Sequence, residues 1–371
     1  MGLFQAIKSV IRKRVSHDFV NLFWHLPIAY LAVFLYGNSG QKLKLIGVTG
    51  TDGKTTTTNI IYHDLKTEGY RVSMISSVKS VIGATSYDTG FHVTSPHPFA
   101  VQRFLKEAAQ AGSEYMVLEV TSHGLSQHRF AGCTFDLGVL TNVTHEHLDY
   151  HQNYQNYLAA KQKLLKMARV AILNKDDYSY RLLDADVHSK EYTYGLTSAD
   201  VTVRKFPFTT KLHGEFNAYN NLAAIAVAQK LGISDTDIRK GIASFIGVPG
   251  RFEIVYDEDF MVIVDFAHTP HSFEQLLKAI RSEYGKRKIT HIFGSAALRD
   301  VTKRPLMGKI SAEYADTIIL TEEDYRTENL IDIFDQIESG IKGVKPVTRI
   351  DNRGDAIMHA IGNARKGDII L

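Results

Sequence analysis

Along most of the chain, short apolar runs alternate with longer stretches whose apolar residues recur at helical spacing. Residues 43–48 (LKLIGV) form one apolar run that stops at the turn residues 49–53. A helix is predicted from residue 55 to about 67, ending near Gly69. Residues 71–76, 115–120, 137–140 and 170–174 read as further buried strands. Between them, residues 99–111 set Phe104, Leu105, Ala108 and Ala109 on one helical face. This alternation predicts an α/β fold with a mainly parallel sheet covered by helices on both sides. Residues 188–213 alternate apolar and polar positions (YTYG, VTVRKF) and are expected to form a small antiparallel excursion, with a helix at 217–231 closing the unit. After the turn at 247–250 a second series begins, with strands expected at 260–266, 289–293 and 317–321. Its helices should start near Pro270, Lys303 and Asn329, and a helix at 355–364 leads into a last strand, 368–371.

Composition narrows the reading. The chain has 371 residues, 44% hydrophobic and 22% charged, which fits folded cores and two or three domains. Lys plus Arg (43) against Asp plus Glu (40) leaves +3, too small a surplus for a nucleic-acid partner. The single cysteine, Cys133, excludes an intrachain disulfide framework and suits a reducing cytoplasm. The start of the chain is different in kind. Lys8, Arg12, Lys13 and Arg14 precede residues 19–37, which hold no Asp, Glu, Lys or Arg. Asn21, His25 and Pro27 interrupt that run, and the clean part, 28–36, is far short of the roughly 20 residues a spanning helix needs. No small-residue cleavage site follows. A packed or interfacial helix is expected, with peripheral membrane contact through 19–37 as the alternative.

The strongest chemical signal is Val48-Thr49-Gly50-Thr51-Asp52-Gly53-Lys54-Thr55-Thr56, between a predicted strand and a predicted helix. Gly50 and Gly53 permit backbone angles that turn successive N–H groups toward phosphate oxygens. The helix start adds its positive dipole end. Thr51 and Thr56 flank the turn, Lys54 would reach the β- and γ-phosphates, and the Thr55 hydroxyl would complete a magnesium shell. The longer form of this motif has glycine where Val48 stands; the short form T-G-T-x-G-K-T-T is the one present. A nucleoside triphosphate is the implied ligand.

The loop is one of eight motifs, in order: TGTDGKTTT (49–57), EVTSHGLSQHR (119–129), NVTHEHLDYH (142–151), AKQKLL (160–165), GEFNAYNNLAA (214–224), PGRFE (249–253), VDFAHTPHSF (264–273) and RDVTKRPLMG (299–308). On these the chain resembles the Mur ligases, which use ATP to add amino acids to the peptidoglycan precursor, and within them the branch that completes the muramoyl-tripeptide. After the N-terminal apolar segment (1–42), the resemblance implies a P-loop-type central ATP-binding domain (43–247) and a smaller Rossmann-like ligase domain (248–371). It also implies ATP and Mg2+, with Thr55, Glu119 and His147 coordinating the metal. Lys161 corresponds to a lysine that is carbamylated to support a second magnesium. Asn220 would meet the adenine edge, Arg251 the γ-phosphate, and Asp265 the ribose or the shape of the cleft; His268 shares its loop. Thr94, Ser95, Ser122, Gln127 and Arg129 correspond to acceptor-binding positions. Where the family's diaminopimelate-selecting motif is D-N-P-R, this chain has Glu323-Asp324-Tyr325-Arg326. Arg326 is expected to grip a distal carboxylate, although Glu322 and Glu323 would suit a lysine ammonium.

Two departures accompany the resemblance. About 42 residues precede the phosphate strand, too few for the family's UDP-holding domain, and the chain stops before the family's Gly-Lys-Gly-His-Glu motif. The acceptor is therefore expected to be either a UDP-MurNAc-peptide or a lipid-linked relative of it, joined to a small amino acid. Folylpolyglutamate- or cyanophycin-synthetase-like ligases, and a nucleotide-binding protein without turnover, are the competing readings.

Overall fold

The computed structural model describes residues 17–88, 94–144, 146–297 and 300–371. Lys8, Arg12, Lys13, Arg14, His145 and Arg299 lie outside them. The chain divides into two compact units. The first comprises residues up to Val143, Leu158–Thr209 and Tyr219–Ser244; the second comprises Thr144–Tyr157, Thr210–Ala218 and Phe245–Leu371.

In the first unit, a short helical stretch (His17–Val20, then a π-helical turn Asn21–His25) runs into helix α1 (Leu26–Tyr36). Gly37, in a left-handed conformation, ends it. Then come β1 (Lys44–Thr49), α2 (Lys54–Thr67), β2 (Val72–Ile75), β3 (Lys79–Ile82), β4 (Thr85–Asp88) and α3 (Pro98–Gln110). They are followed by β5 (Tyr115–Glu119), β6 (Phe135–Leu140), α4 (Tyr154–Met167), β7 (Ala168–Asn174), β8 (Glu191–Tyr194), α5 (Glu215–Lys230) and α6 (Asp235–Ser244). The strands form one sheet in the order β4-β3-β2-β5-β1-β6-β7-β8. All neighbours are parallel except the β2–β3–β4 ribbon. β1 lies between β5 and β6, so Leu45, Ile46 and Val48 are wholly buried, which is why the run reads as continuously apolar.

The antiparallel excursion expected at 188–213 is not there. β8 instead extends the main sheet, parallel to β7, with Ala171 opposite Glu191 and Asn174 opposite Tyr194. Only an isolated bridge, Tyr194 to Val201, involves the VTVRKF stretch. The Asp200 carboxylate accepts bonds from the Thr193 amide (2.8 Å) and hydroxyl (2.7 Å), so a side chain meets the amide, while the Thr193 carbonyl is bonded by the Val201 amide (3.0 Å). The antiparallel ribbon lies at β3–β4, in a stretch not read as strand from the sequence.

In the second unit, β9 (Glu253–Asp257), β10 (Met261–Val264), α7 (Pro270–Tyr284), β11 (Ile289–Phe293), α8 (Lys303–Tyr314), β12 (Thr317–Leu320), α9 (Leu330–Ile341), β13 (Val347–Arg349), α10 (Arg353–Asn363) and β14 (Ile369–Ile370) follow in turn. The sheet order is β13-β12-β11-β14-β10-β9, with only β9 antiparallel to its neighbour. Phe273, Leu277, Ile280, Met307, Ile318, Ile333, Phe334 and Ile369 make its core. Thr269 and Ser272 form a reciprocal capping box at the start of α7.

One buried carboxyl in the first unit stands apart from any site. Asp64 on α2 is 2% exposed, and neither carboxylate oxygen has a hydrogen-bond partner. A Cβ added at Gly241 of α6 would come 2.6 Å from its Oδ1. Burial, and then the Glu68 charge, push its pKa up from 3.8 to about 8. Because the folded-state value lies above the unfolded one, the folded protein holds this proton more tightly. The contribution to stability is therefore present below about pH 4 and lost as pH rises through about 8. Asp64→Asn is expected to flatten that fall in melting temperature; an unchanged pH profile would show that Asp64 is not its source.

Candidate active site

The turn after β1 is held from outside. β1 and β6 run in register, Thr49 opposite Leu140, so Thr141 and Asn142 arrive beside Gly50 to Asp52. The Thr51 amide donates to the Asn142 carbonyl (2.9 Å) and the Asp52 amide to Asn142 Oδ1 (2.9 Å). Thr141 Oγ1 and Asn142 Nδ2 donate back to the Asp52 carbonyl at 2.6 and 3.2 Å. Gly50 has φ 153°, and a Cβ there would lie 1.7 Å from Thr141 Oγ1. Gly53, φ 81°, is the N-cap of α2, and no side chain caps that helix. The amides of its first turn therefore form a positive, anion-accepting end. Lys54 Nζ donates to the Thr51 carbonyl at 2.6 Å, and Thr56 follows on the buried first turn.

Lys161 is not the helix-surface lysine its sequence position alone implies. It is 1% exposed, and its Nζ donates to the Gly50 carbonyl at 2.5 Å. Lys163, two residues on, is exposed. Asn220, on α5, also faces the loop: its Oδ1 accepts from Thr57 at 3.2 Å and would lie 2.4 Å from a Cβ at Gly53.

Glu119 ends β5 and is 1% exposed. Its Oε1 accepts from Thr55 Oγ1 (2.9 Å) and Ser77 Oγ (2.9 Å), and its Oε2 from the Ser77 amide (2.7 Å). Ser77 Oγ also reaches Thr94 Oγ1 at 2.9 Å. Ser95 Oγ accepts from the Thr121 amide and hydroxyl, both at 3.0 Å. The Arg129 guanidinium donates to the Ser95 carbonyl and, at 3.1 and 2.7 Å, to Gln127 Oε1. Ser122 opens the short helix Ser122–Ser126 and is buried. The phosphate turn and all five acceptor candidates thus belong to one connected region of the first unit.

The second unit carries the remaining candidates. Arg251 Cζ lies 4.5 Å from the centre of the Phe266 ring. It lines a cleft of about 360 Å3 with Lys211, His213, Asn217 and Phe252. The Asp265 carboxylate accepts the Phe252 amide (2.7 Å) and the Ala267 amide (2.6 Å), tying two loops together. His268 Nδ1 lies 3.0 Å from the Phe266 carbonyl. His147 has φ 57°, lies 3.9 Å from Glu146 and stands edge-on to the Tyr157 ring. Among the described residues, no three of His, Cys, Asp and Glu gather as a metal-holding group. Arg326 is exposed and paired with Asp324 at 2.8 Å, which raises its pKa further.

Four residues that matter here carried no separate signal in the sequence reading. Ser77 anchors Glu119, while Thr141 and Asn142 anchor the turn; Asn142 and Arg304 lie in the motifs at 142–151 and 299–308, but neither was singled out there. Arg304 in α8 is fully buried and grips Glu328 with two bonds, 2.6 and 2.9 Å, and Gln336 with one of 2.7 Å. It braces the loop that carries Arg326.

A glycine turn that leads from a parallel sheet into an uncapped helix, with a buried carboxylate beside the Thr55 hydroxyl, is suited to a nucleotide-dependent ligase. Two family descriptions match the chain: the Mur ligase middle domain over residues 48–228 and the Mur ligase glutamate ligase domain over residues 250–371. The chain belongs to the Mur ligase family and is an ATP-dependent amide ligase. It is 36% identical to the UDP-N-acetylmuramoyl-L-alanyl-D-glutamate–2,6-diaminopimelate ligase of Caldanaerobacter subterraneus, over 93% of this chain and 75% of that one. It is 41% identical to the ligase of the same name from Nostoc sp., over 92% and 74%. A solved structure under that name superposes with a TM-score of 0.61 at 29% identity, covering 88% of this chain and 72% of the other. Folylpolyglutamate synthase of Mycobacterium tuberculosis complexed with ADP superposes with a TM-score of 0.73, over 96% and 90%, but at 17% identity shows a shared fold alone.

Gly50→Ala should destabilise the first unit by about 2 kcal/mol or more, since the new methyl meets Thr141. Gly69→Ala, at φ 82° but in open space, should cost only about 1 kcal/mol. Equal melting temperatures for the two variants would contradict the close approach at Gly50.

Proposed function

We propose that this chain joins the free carboxylate of a UDP-MurNAc-dipeptide acceptor to an amine of meso-diaminopimelate, with ATP converted to ADP and phosphate. The observation that carries this reading is the linked run from Thr55 through Glu119 and Ser77 to Thr94, which puts acceptor candidates next to the phosphate turn. The printed names of the relatives support the choice of acceptor and amino acid. The buried Cys133 thiol, its pKa pushed up to about 12 by burial, is inert and takes no part in this chemistry.

Amide formation from a carboxylate in water is uphill, so the carboxylate is activated first. An acceptor carboxylate oxygen attacks the γ-phosphorus, ADP leaves, and an acyl phosphate results. The amine, as free base, then attacks the carbonyl carbon; phosphate departs with the bonding pair, and the surplus amine proton passes to solvent. Such transfer is served mainly by positioning and charge neutralisation. The amides of Gly53 to Thr56 and the Lys54 ammonium are suited to hold the β- and γ-phosphates. Thr51 lines the same turn, and Arg251 is proposed to meet the γ-phosphate. Asn220 holds either the loop or the adenine edge, and Asp265, with both oxygens on backbone amides, orders the loop beside Arg251.

The oxygens of Thr55 and Glu119 form a hard donor set that fits Mg2+, with His147 proposed as a further ligand. Magnesium, when bound, supplies positive charge to offset that of the phosphate oxygens. Lys161 as an ammonium ties down the Gly50 carbonyl; carbamylated, it would keep one N–H as a donor and present two anionic oxygens. Ser95, Ser122, Gln127 and Arg129 are proposed to orient the acceptor, and Arg326 the distal carboxylate of the incoming amino acid.

Phosphate release should require acceptor and diaminopimelate together, with mass spectrometry showing the amide product. Lys54→Ala should abolish release while leaving the circular dichroism spectrum unchanged; wild-type turnover in that variant would refute the nucleotide site. Arg326→Ala should raise the KM for diaminopimelate about tenfold or more and leave that for the acceptor alone. Equal KM values would remove Arg326 from amino-acid selection.

A further inference from the structure

The N-terminal helical segment is built the wrong way round for a helix that only packs on its own protein. Ala29 and Ala32 of α1, with Asn21 before it, are the buried positions. Phe23 (62%), Trp24 (65%), Tyr30 (57%), Leu31 (50%) and Phe34 (81%) face outward. Small side chains let α1 lie close to α3, while the large apolar ones are left in water. A contiguous exposed apolar patch of this kind marks a surface meant to be covered.

The chemistry of the patch selects what covers it. Residues 19–37 hold no Asp, Glu, Lys or Arg, so the face offers no charge for a polar protein partner to match. Trp and Tyr beside Phe and Leu are the residues favoured at a bilayer's headgroup level. Residues 1–16 carry Lys8, Arg12, Lys13 and Arg14 and no acidic residue. On the folded side, Lys106 Nζ lies 5.9 Å from the Tyr36 ring centre, at the far end of α1. An apolar aromatic face accompanied by cations complements anionic headgroups over a hydrocarbon layer. Burial decides between lying on and crossing. The helical run from His17 to Tyr36 spans about 30 Å, but Asn21, Ala29 and Ala32 are buried, so one side of it is held by the protein and only the other is open to lipid. Among the described residues no helix is long and apolar enough to cross a membrane.

We propose that this face seats the protein on an anionic lipid bilayer, with the helical segment lying in the interface. The reading is independent of the ligase chemistry, and so is its test. Trp24 is the chain's sole tryptophan, so its emission reports on the face directly. With the full-length chain, vesicles of phosphatidylcholine and phosphatidylglycerol should shift that emission to the blue and carry the protein upward in flotation. Phosphatidylcholine alone should bind about tenfold less or weaker, and raising the salt should erase the difference. Phe23→Glu with Phe34→Glu should lower partitioning by on the order of a hundredfold without changing the thermal melt, since both side chains are exposed. No blue shift and no flotation with either vesicle would overturn the proposal. So would equal, salt-insensitive binding to neutral vesicles. Vesicle-free self-association abolished by the double variant would assign the face to a second copy instead, and overturn it equally.

Discussion

Everything proposed for the first unit depends on how the backbone between Gly50 and Asp52 is satisfied. Amides and carbonyls in a buried turn cost free energy unless they are bonded. Here the outward groups are taken by Thr141, Asn142 and Lys161, so the turn is rigid before any ligand arrives. What this leaves is the uncapped start of α2, aimed where an anion would sit. The arrangement rests on strand register. Were β6 to slip by one residue against β1, Thr141 would point to the other face of the sheet and the turn would lose its outer support.

The same logic explains the buried carboxylate. An isolated Glu119 at 1% exposure would be costly as an anion. Three donated bonds from Thr55 and Ser77 offset that cost and fix the carboxylate's orientation. In the second unit Arg304 plays a comparable part, a fully buried guanidinium matched by Glu328 and Gln336. Both charges are held in place by polar partners rather than by solvent, which is what a site of fixed geometry requires.

Much of this was legible in the chain. Continuous apolar runs marked β1, β5 and β6 because central parallel strands are buried on both faces, and the glycines of the turn stood out against them. Two edge strands were not legible. β9 and β13 are short and largely half-buried or exposed, so their patterns carry little periodicity. The stretch at 188–213 alternated like a hairpin, yet beyond β8 it adds only one bridge at Val201 and the Asp200 side chain on Thr193. Burial of Lys161 was invisible too, because a lysine in an amphipathic helix reads as a surface residue until the fold brings Gly50 over it. The same limit hid Ser77 and Thr141, common residues whose importance comes only from what the sheet puts beside them.

The measurement that tests the account most directly is a crystal structure of the full chain with a non-hydrolysable ATP analogue and magnesium. The account predicts the β- and γ-phosphate oxygens on the amides of Gly53 to Thr56, with the Lys54 ammonium turned from the Thr51 carbonyl onto them. A nucleotide bound elsewhere, with Lys54 still on Thr51 and the start of α2 facing only solvent, would contradict it.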